Sequence, residues 1–462
     1  MDASSPAQRA RLGTEARRRV PLKAHRALET SGRADPVTVI AEQATSRTPE
    51  LVPLRHHRML ASPFAFFRGG AAIMAGDLAG TPISGIDVHL CGDAHLANFG
   101  LFASPERNLL FDLNDFDETC RGPWEWDLKR LAASLVVAGR ANGFSEQKNR
   151  RTVVTAARSY AEAMAAFADM GNLAVWYARV DEAQAKQIVG GALDDHMRTR
   201  LEKSTSKARS RDHLHSLGKL TEVVDGRRRI VADPPLVVPV STLAPAVGHE
   251  EVEAVVVGIL EEYAASLDLA HRTLVESYSF VDLARKVVGV GSVGTRCWIV
   301  LMRGRDDDDP LFLQVKEAQP SVLARHLPGR TVPDNQGERV VRGQRLMQAA
   351  SDLFLGWHRT TGLDGHTRDF YVRQLHDWKG SADLETLTPK GMRAYAELCA
   401  WTLARAHART GDRIAIAAYL GDADEFAEAV ADVACAYADV NEHDHARFAA
   451  AVQRGELTAA QL

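Results

Sequence analysis

The 462-residue chain is short of several things, and each shortage narrows its chemistry. It has five cysteines, Cys91, Cys120, Cys297, Cys399 and Cys435, an odd number without a CxxC pair. That argues against a disulfide framework and a thiolate zinc site, and suits a reducing compartment. No stretch offers the roughly 18 uninterrupted apolar residues of a membrane span, and the opening MDASSPAQRARLGTEARRRVPLK lacks a signal peptide's apolar core. A cytoplasmic protein with no membrane partner is expected. Charge of one sign is missing too: the formal net charge is -4 and no basic stripe gathers the Lys and Arg residues, which argues against nucleic acid as a partner. There is no internal repeat and no low-complexity tract. What is present, a 45% hydrophobic composition, is that of a globular protein able to bury a core.

Punctuation and periodicity divide the chain into six stretches. Residues 1–50, rich in Arg, Ser and Pro, are expected as a partly ordered arm. Residues 51–190 begin with short apolar runs broken by Gly, Pro and Asp (SPFAFFRGG, TPISGIDVHLCGD, PERNLLFDLNDFD), read as strands and loops up to about residue 120. Helical spacing follows over 127–140, with Asp127 placed as an N-cap, and over 152–170. Residues 191–245 read as a polar connector or insertion and 246–285 as a helical segment. Residues 286–382 carry β-branched and aromatic runs around one helix near 337–350, a small β-rich lobe. Residues 383–462 are Ala-rich and helical.

The densest chemistry lies in CGDAHLANFG, residues 91–100. Asp93 and Asn98 stand five apart with His95 between them, and flanking glycines allow the tight backbone that brings such side chains together. In protein kinases an Asp that accepts the proton of the attacking hydroxyl precedes a magnesium-binding Asn by this spacing. A second carboxylate should complete the metal site. NLLFDLNDFDE supplies Asp112, Asp115 and Asp117, with Asp115 just past a strand end and the choice among the three open. GPWEWDLKRLAAS then adds a helix carrying Asp127-Leu128.

Gly289, Gly291 and Gly294, with Ser292 among them, form a G-x-G-x-x-G match. A dinucleotide fingerprint should open a helix, whereas CWIVLM after this one reads as a strand; strand, glycine loop, strand is the kinase arrangement over nucleotide phosphates. The next strand, LFLQVK, ends in Lys316, the expected phosphate lysine. Glu338 is the expected helix partner that holds it, with Gln344 in reserve, and Gln374 to Trp378 would lie beside adenine. These parts follow the catalytic loop, where an ordinary kinase has them before it. A circular permutation restores the order, since the helix LARAH, residues 403–407, resembles the one that leads into a catalytic loop. Such a fold must bring the Lys316 ammonium within about 10 Å of Asp115, near enough for one phosphate to bridge them.

Arg68 in SPFAFFRGG could contact a phosphate or an acidic substrate, although a structural ion pair is the commoner use of such a residue. Asp306 to Asp309 read as a solvated turn, and NEHDH, 441–445, as no metal site, because His at i and i+2 do not share a helix face.

Gly92, Asp93, His95, Asn98, Asp115 and Asp127-Leu128 resemble the series found in aminoglycoside phosphotransferases and choline kinases; Cys91 stands where that family has His. Across about residues 20–450, RMLASPFAFFRGGAAIMAGDL, CGDAHLANFG, FDLNDFDET, GPWEWDLKRLAASLVVAGR, KVVGVGSVGT and AYLGDADEFAEAVADVACAYAD resemble a bacterial family, domain of unknown function 2252. The expectation is an α+β, kinase-like two-lobed fold, circularly permuted, transferring phosphate from ATP with Mg to a hydroxyl. A small-molecule acceptor is favoured and a protein acceptor is the other choice. Asp93 and His95 would be catalytic, Lys316 and the 289–294 loop would hold ATP, and Asn98 and Asp115 would hold the metal. The alternatives are a nucleotide-binding pseudokinase, an AMP transferase, or a metal-dependent hydrolase using Asp93, His95 and Asp115.

Overall fold

The computed structural model describes residues 5–189, 199, 206, 213–224, 226–243, 249–362, 365–375, 378 and 380–461. The chain starts with helices, where a partly ordered arm was expected. α1 (Pro6–Arg19) opens on a capping box in which the Ser5 side chain accepts from the Gln8 amide and the Gln8 side chain accepts from the Ser5 amide. Its Gly13 lies so close to another helix that a Cβ would stand 2.1 Å from the Ala415 carbonyl oxygen. The polar composition concealed this packing, because the contact is made by Gly13, Ala16 and long arginines rather than by an apolar stripe.

α2 (Pro36–Ala44), α3 (Val52–Leu60), α4 (Pro63–Gly69) and α5 (Ala71–Ala79) continue the helical start. SPFAFFRGG is therefore a helix: Ser62 caps it by accepting from the Ala65 amide, and Pro63 occupies the first turn. β1 (Asp87–Leu90) pairs with β4 (Cys120–Pro123), and β2 (Phe99–Ala103) with β3 (Leu109–Leu113), all antiparallel. α6 (Trp124–Ala141) is buried along nearly its whole length, its Glu125, Asp127, Lys129 and Arg130 included, and α7 (Glu146–Asp169) packs beside it.

The connector contributes a hairpin, β5 (Thr221–Val224) and β6 (Arg227–Ile230), and the strand β7 (Val237–Pro239). α8 (His249–Ala264) and α9 (Leu269–Glu276) follow as two helices. β8 (Ser279–Lys286), β9 (Cys297–Arg303), β10 (Pro310–Ala318), β11 (Gly356–Thr361) and β12 (Thr367–Gln374) join β7 in an antiparallel sheet of order β11-β12-β10-β9-β8-β7, with α10 (Gln336–Met347) between β10 and β11 in sequence. α11 (Pro389–Thr410), α12 (Arg413–Leu420) and α13 (Asp424–Gln453) complete the fold; α11 lies along α7, and α13 along α6 and α7.

The architecture is α+β. One large core joins α6, α7, α11 and α13 to the 88–124 strands, and smaller clusters cover the six-stranded sheet. Residues 306–308 lie exposed in a turn, and in 441–445 Asp444 pairs with Arg33 while His445 bonds the Leu60 carbonyl. The five cysteines are free, and among the described residues no helix is long and apolar enough to cross a membrane.

Candidate functional site

The 91–98 loop is held from behind. Asp127 is no N-cap, since α6 begins three residues earlier at Trp124. Its carboxylate instead accepts from the backbone amides of Cys91 (2.7 Å) and Gly92 (2.9 Å). His407 of α11 reaches the same carboxylate at 3.2 Å and bonds the Tyr160 hydroxyl at 2.8 Å. Gly92 takes φ +84° with its Cα against the Glu118 carbonyl, a position closed to any side chain. Tied in this way, the loop presents Asp93, His95 and Asn98 to a cleft of 340 Å³.

Asp93 is fixed through Oδ1, which accepts from Arg130 Nε at 2.9 Å, while Oδ2 lies 3.6 Å from His95 Nε2. Burial pushes the His95 imidazole down to about 4, opposed by Asp93 and assisted by Arg130 and Arg68, so the ring is neutral near pH 7. Asn98 Nδ2 donates to the carbonyls of Asp93 (3.0 Å) and Asp115 (3.1 Å), which leaves Oδ1 as the atom able to ligate a cation.

Across the cleft, β10 delivers Lys316. Its ammonium lies 3.7 Å from Asp115 Oδ2 and in tighter contact with Asp117, although the lysine side chain is 2% exposed. Burial works against its charge, and Asp115 and Asp117 overcome that and hold its pKa well above the ordinary lysine value. For Asp115, burial pushes upward and is outweighed by Lys316 and Arg373, so the carboxyl sits below its usual range. The Tyr371 hydroxyl, on the strand position facing Lys316, donates to Asp117 at 2.8 Å. Ser292 Oγ stands 3.3 Å from the same carboxylate, and Gly289, Gly291 and Ser292 line the cleft. Gly294 does not; it packs on the Arg47 side chain.

Three expectations on these residues need correcting. Asp112 cannot be a ligand: both its oxygens accept from Arg405, at 2.6 and 2.8 Å, in a fully buried pair. Glu338 does not hold Lys316; its half-buried carboxylate pairs with the exposed Arg342 one turn along α10, an i,i+4 contact. The reserve, Gln344, bonds Gln348. The helix sends Arg339 toward the site instead, and its guanidinium binds the carbonyls of Asp117, Thr119 and Gln319. Of the 374–378 segment, residues 376–377 lie outside the described residues; Gln374 and Leu375 line a second cleft of 300 Å³, separated from the first by Asn114 and Arg373, which line both.

Sequence reading missed Arg130, Arg339, Tyr371, Arg373 and Arg47. Arg130 was detectable, being three residues after Asp127 on one helix face. Tyr371 and Arg373 become visible only once β12 is paired with β10, which sets them opposite Lys316 and Gln314.

A bacterial family described as "Uncharacterized protein conserved in bacteria (DUF2252)" matches residues 47–451. The chain belongs to the DUF2252 family. In this DUF2252 protein the matched region contains every residue of the cleft described above except Gln43 and Ser46 at its rim. Neither the curated proteins nor the solved structures provide a match.

Proposed function

We propose that this DUF2252 protein is an ATP- and magnesium-dependent phosphotransferase with a kinase-like, circularly permuted arrangement, acting on a hydroxyl of a small-molecule acceptor. The observation that carries the reading is the convergence of Lys316 with Asp115 and Asp117 beneath a glycine loop that shares one cleft with Asp93. The order strand, glycine loop, strand, lysine strand, helix, two strands from β8 to β12 supports it, as does the contact of α11 His407 with Asp127 behind the catalytic loop. Lys316 is held by Asp117 where an ordinary kinase uses a helix glutamate.

Among the described residues no group of three or more His, Cys, Asp or Glu side chains could hold a metal ion. Asn98 Oδ1 and one Asp115 oxygen are nonetheless the kind of donor set magnesium uses when nucleotide phosphates and water supply the rest. A magnesium ion there would neutralise charge on the transferring phosphoryl group. Asp93, oriented by Arg130, takes the acceptor's proton as the new O–P bond forms and the bond to ADP breaks. Lys316 and the backbone amides of the 289–294 loop bind the donor phosphates, and neutral His95 shields Asp93 from water. Catalysis on this reading is positioning plus charge compensation.

Thermal unfolding of wild type and Lys316→Ala, each with and without magnesium and ATP, tests this. At about a hundred times the dissociation constant, ATP adds roughly 2.7 kcal/mol to the wild type, and the variant loses that shift. Absence of any magnesium-dependent ATP shift in the folded wild type overturns the proposal. ATP labelled at the α or the γ phosphorus then separates AMP transfer from phosphate transfer.

A further inference from the structure

Arg68 sits at the end of α4, lining the cleft with Asp93, His95, Asp115 and Gly291. The ion pair expected for it is not there. The other two arginines of the cleft are anchored, Arg47 on the Val293 carbonyl and Arg373 on Gln314 Oε1 and the Asn114 carbonyl. The Arg68 side chain has no hydrogen bond or salt bridge among the described residues, and its Nε is sealed from solvent without a partner. Asp93, which is held by Arg130 through Oδ1, makes no ion pair with it.

A sealed Nε–H without an acceptor is costly, and the half-buried guanidinium's planar fork of donors matches the two oxygens of a phosphate or carboxylate. Burial lowers its pKa, and Asp93 and Asp115, which line the same cleft, counteract this. The backbone places it between the two loops: Arg130, which holds Asp93 Oδ1, also donates to the Phe67 carbonyl at 2.7 Å, so the residue before Arg68 is tied to Asp93, while the Arg68 carbonyl abuts Gly291, where a Cβ would come within 3.3 Å.

We infer that Arg68 is the anion-binding residue of the acceptor subsite, so that the acceptor carries a phosphate or carboxylate group beside the hydroxyl presented to Asp93. This deepens the phosphotransferase reading and rests on it for the word acceptor; the anion site itself does not. An anion on Arg68 could also be the terminal phosphate of the donor, and the test separates the two.

Calorimetric titrations of the full chain would use inorganic phosphate as the probe, alone and with a saturating non-hydrolysable ATP analogue and magnesium, in wild type, Arg68→Gln and Arg68→Lys. The expected result is phosphate binding in the presence of the analogue, weakened at least about tenfold in Arg68→Gln and less in Arg68→Lys, which keeps the charge but loses the fork. The affinity for the analogue itself should change less than about threefold. Circular dichroism checks that each variant is folded, and if Arg68→Gln is not, the Lys variant carries the comparison. Loss of analogue affinity in the Arg68 variants, as in Lys316→Ala, would assign Arg68 to the donor and overturn the inference. Phosphate binding indifferent to Arg68, or absent from the wild type, also overturns it. Phosphate binding that needs Arg68 in a protein that ignores the analogue would retain the anion site and remove the phosphotransferase reading.

Discussion

Two glycine-bearing loops face one cleft, and they are held by opposite means. The 91–98 loop is fixed from inside the molecule: buried Asp127 accepts from its amides, and His407 and Tyr160 stand behind Asp127. The 289–294 loop is fixed from outside. Arg58 donates to the Gly289 carbonyl, Arg47 to the Val293 carbonyl, and the Thr48 amide to the Gly294 carbonyl, while Val290 and Val293 insert into small apolar clusters of the N-terminal helices. A buried carboxylate with its donors in place has no solvated alternative to compete with it, whereas a half-exposed contact such as Arg58 on the Gly289 carbonyl exchanges with water at small cost. The first loop is therefore built as a fixed wall of the cleft and the second as a clasp between distant parts of the chain.

The harshest way to break this contrast is Asp127→Ala. It leaves two buried amides and His407 Nε2 unpaired and should cost about 3 kcal/mol or more, read as a shift of the denaturant midpoint. A loss under about 1 kcal/mol would mean that the loop does not depend on its buried backing.

A pH signature should follow from the same interior. His25, fully buried and bonded to the Tyr419 hydroxyl at 2.6 Å, is pushed down to about 3, by burial first and by nearby Lys129 second. Because the folded pKa lies below the unfolded 6.5, the neutral ring's contribution is complete above pH 6.5 and is lost as pH falls toward 3. Its slope approaches about 1.4 kcal/mol per pH unit. Stability curves of wild type and His25→Gln should converge in that window; parallel curves would rule the assignment out.

Smaller effects are expected at the clasp. Arg47→Ala should cost about 1 kcal/mol and Arg58→Ala less than about 0.5 kcal/mol, since Arg58 is the more exposed of the two. Amide hydrogen exchange sharpens the comparison without mutation: Cys91 and Gly92 should exchange only through global unfolding, and Gly291 by local opening many times more easily. Equal protection in the two loops would erase the distinction.

Much of this was legible beforehand. The spacing of Asp93, His95 and Asn98 between glycines, the carboxylates after a short apolar strand, and the strand-glycine-strand pattern before Lys316 are local features, and local features survive being read in one dimension. Asp112 shows where that stops. It stands three residues before Asp115 with the same chemistry, and only the arrival of Arg405 from a distant helix makes one carboxylate structural and leaves the other facing the cleft. Glu338 failed for a related reason: helix spacing tells which residues share a face, and Glu338 shares one with Arg342, while its neighbour Arg339 points to the site.

The sequence by itself determined the inventory of reactive groups and the elements around the cleft, though not the helices of residues 6–79, because capping, periodicity and turn chemistry act over a few residues. It also placed the chain among α+β proteins with no basic stripe and no long apolar span. The tertiary structure alone decided which charges met. It set Lys316 against Asp115 and Asp117, hid Asp112 behind Arg405, turned Asp127 from a helix end into a brace, and left Arg68 facing the cleft without a partner. The reason is physical: the pairing of a charged side chain depends on burial and on distance through space, and neither is a property of position along the chain.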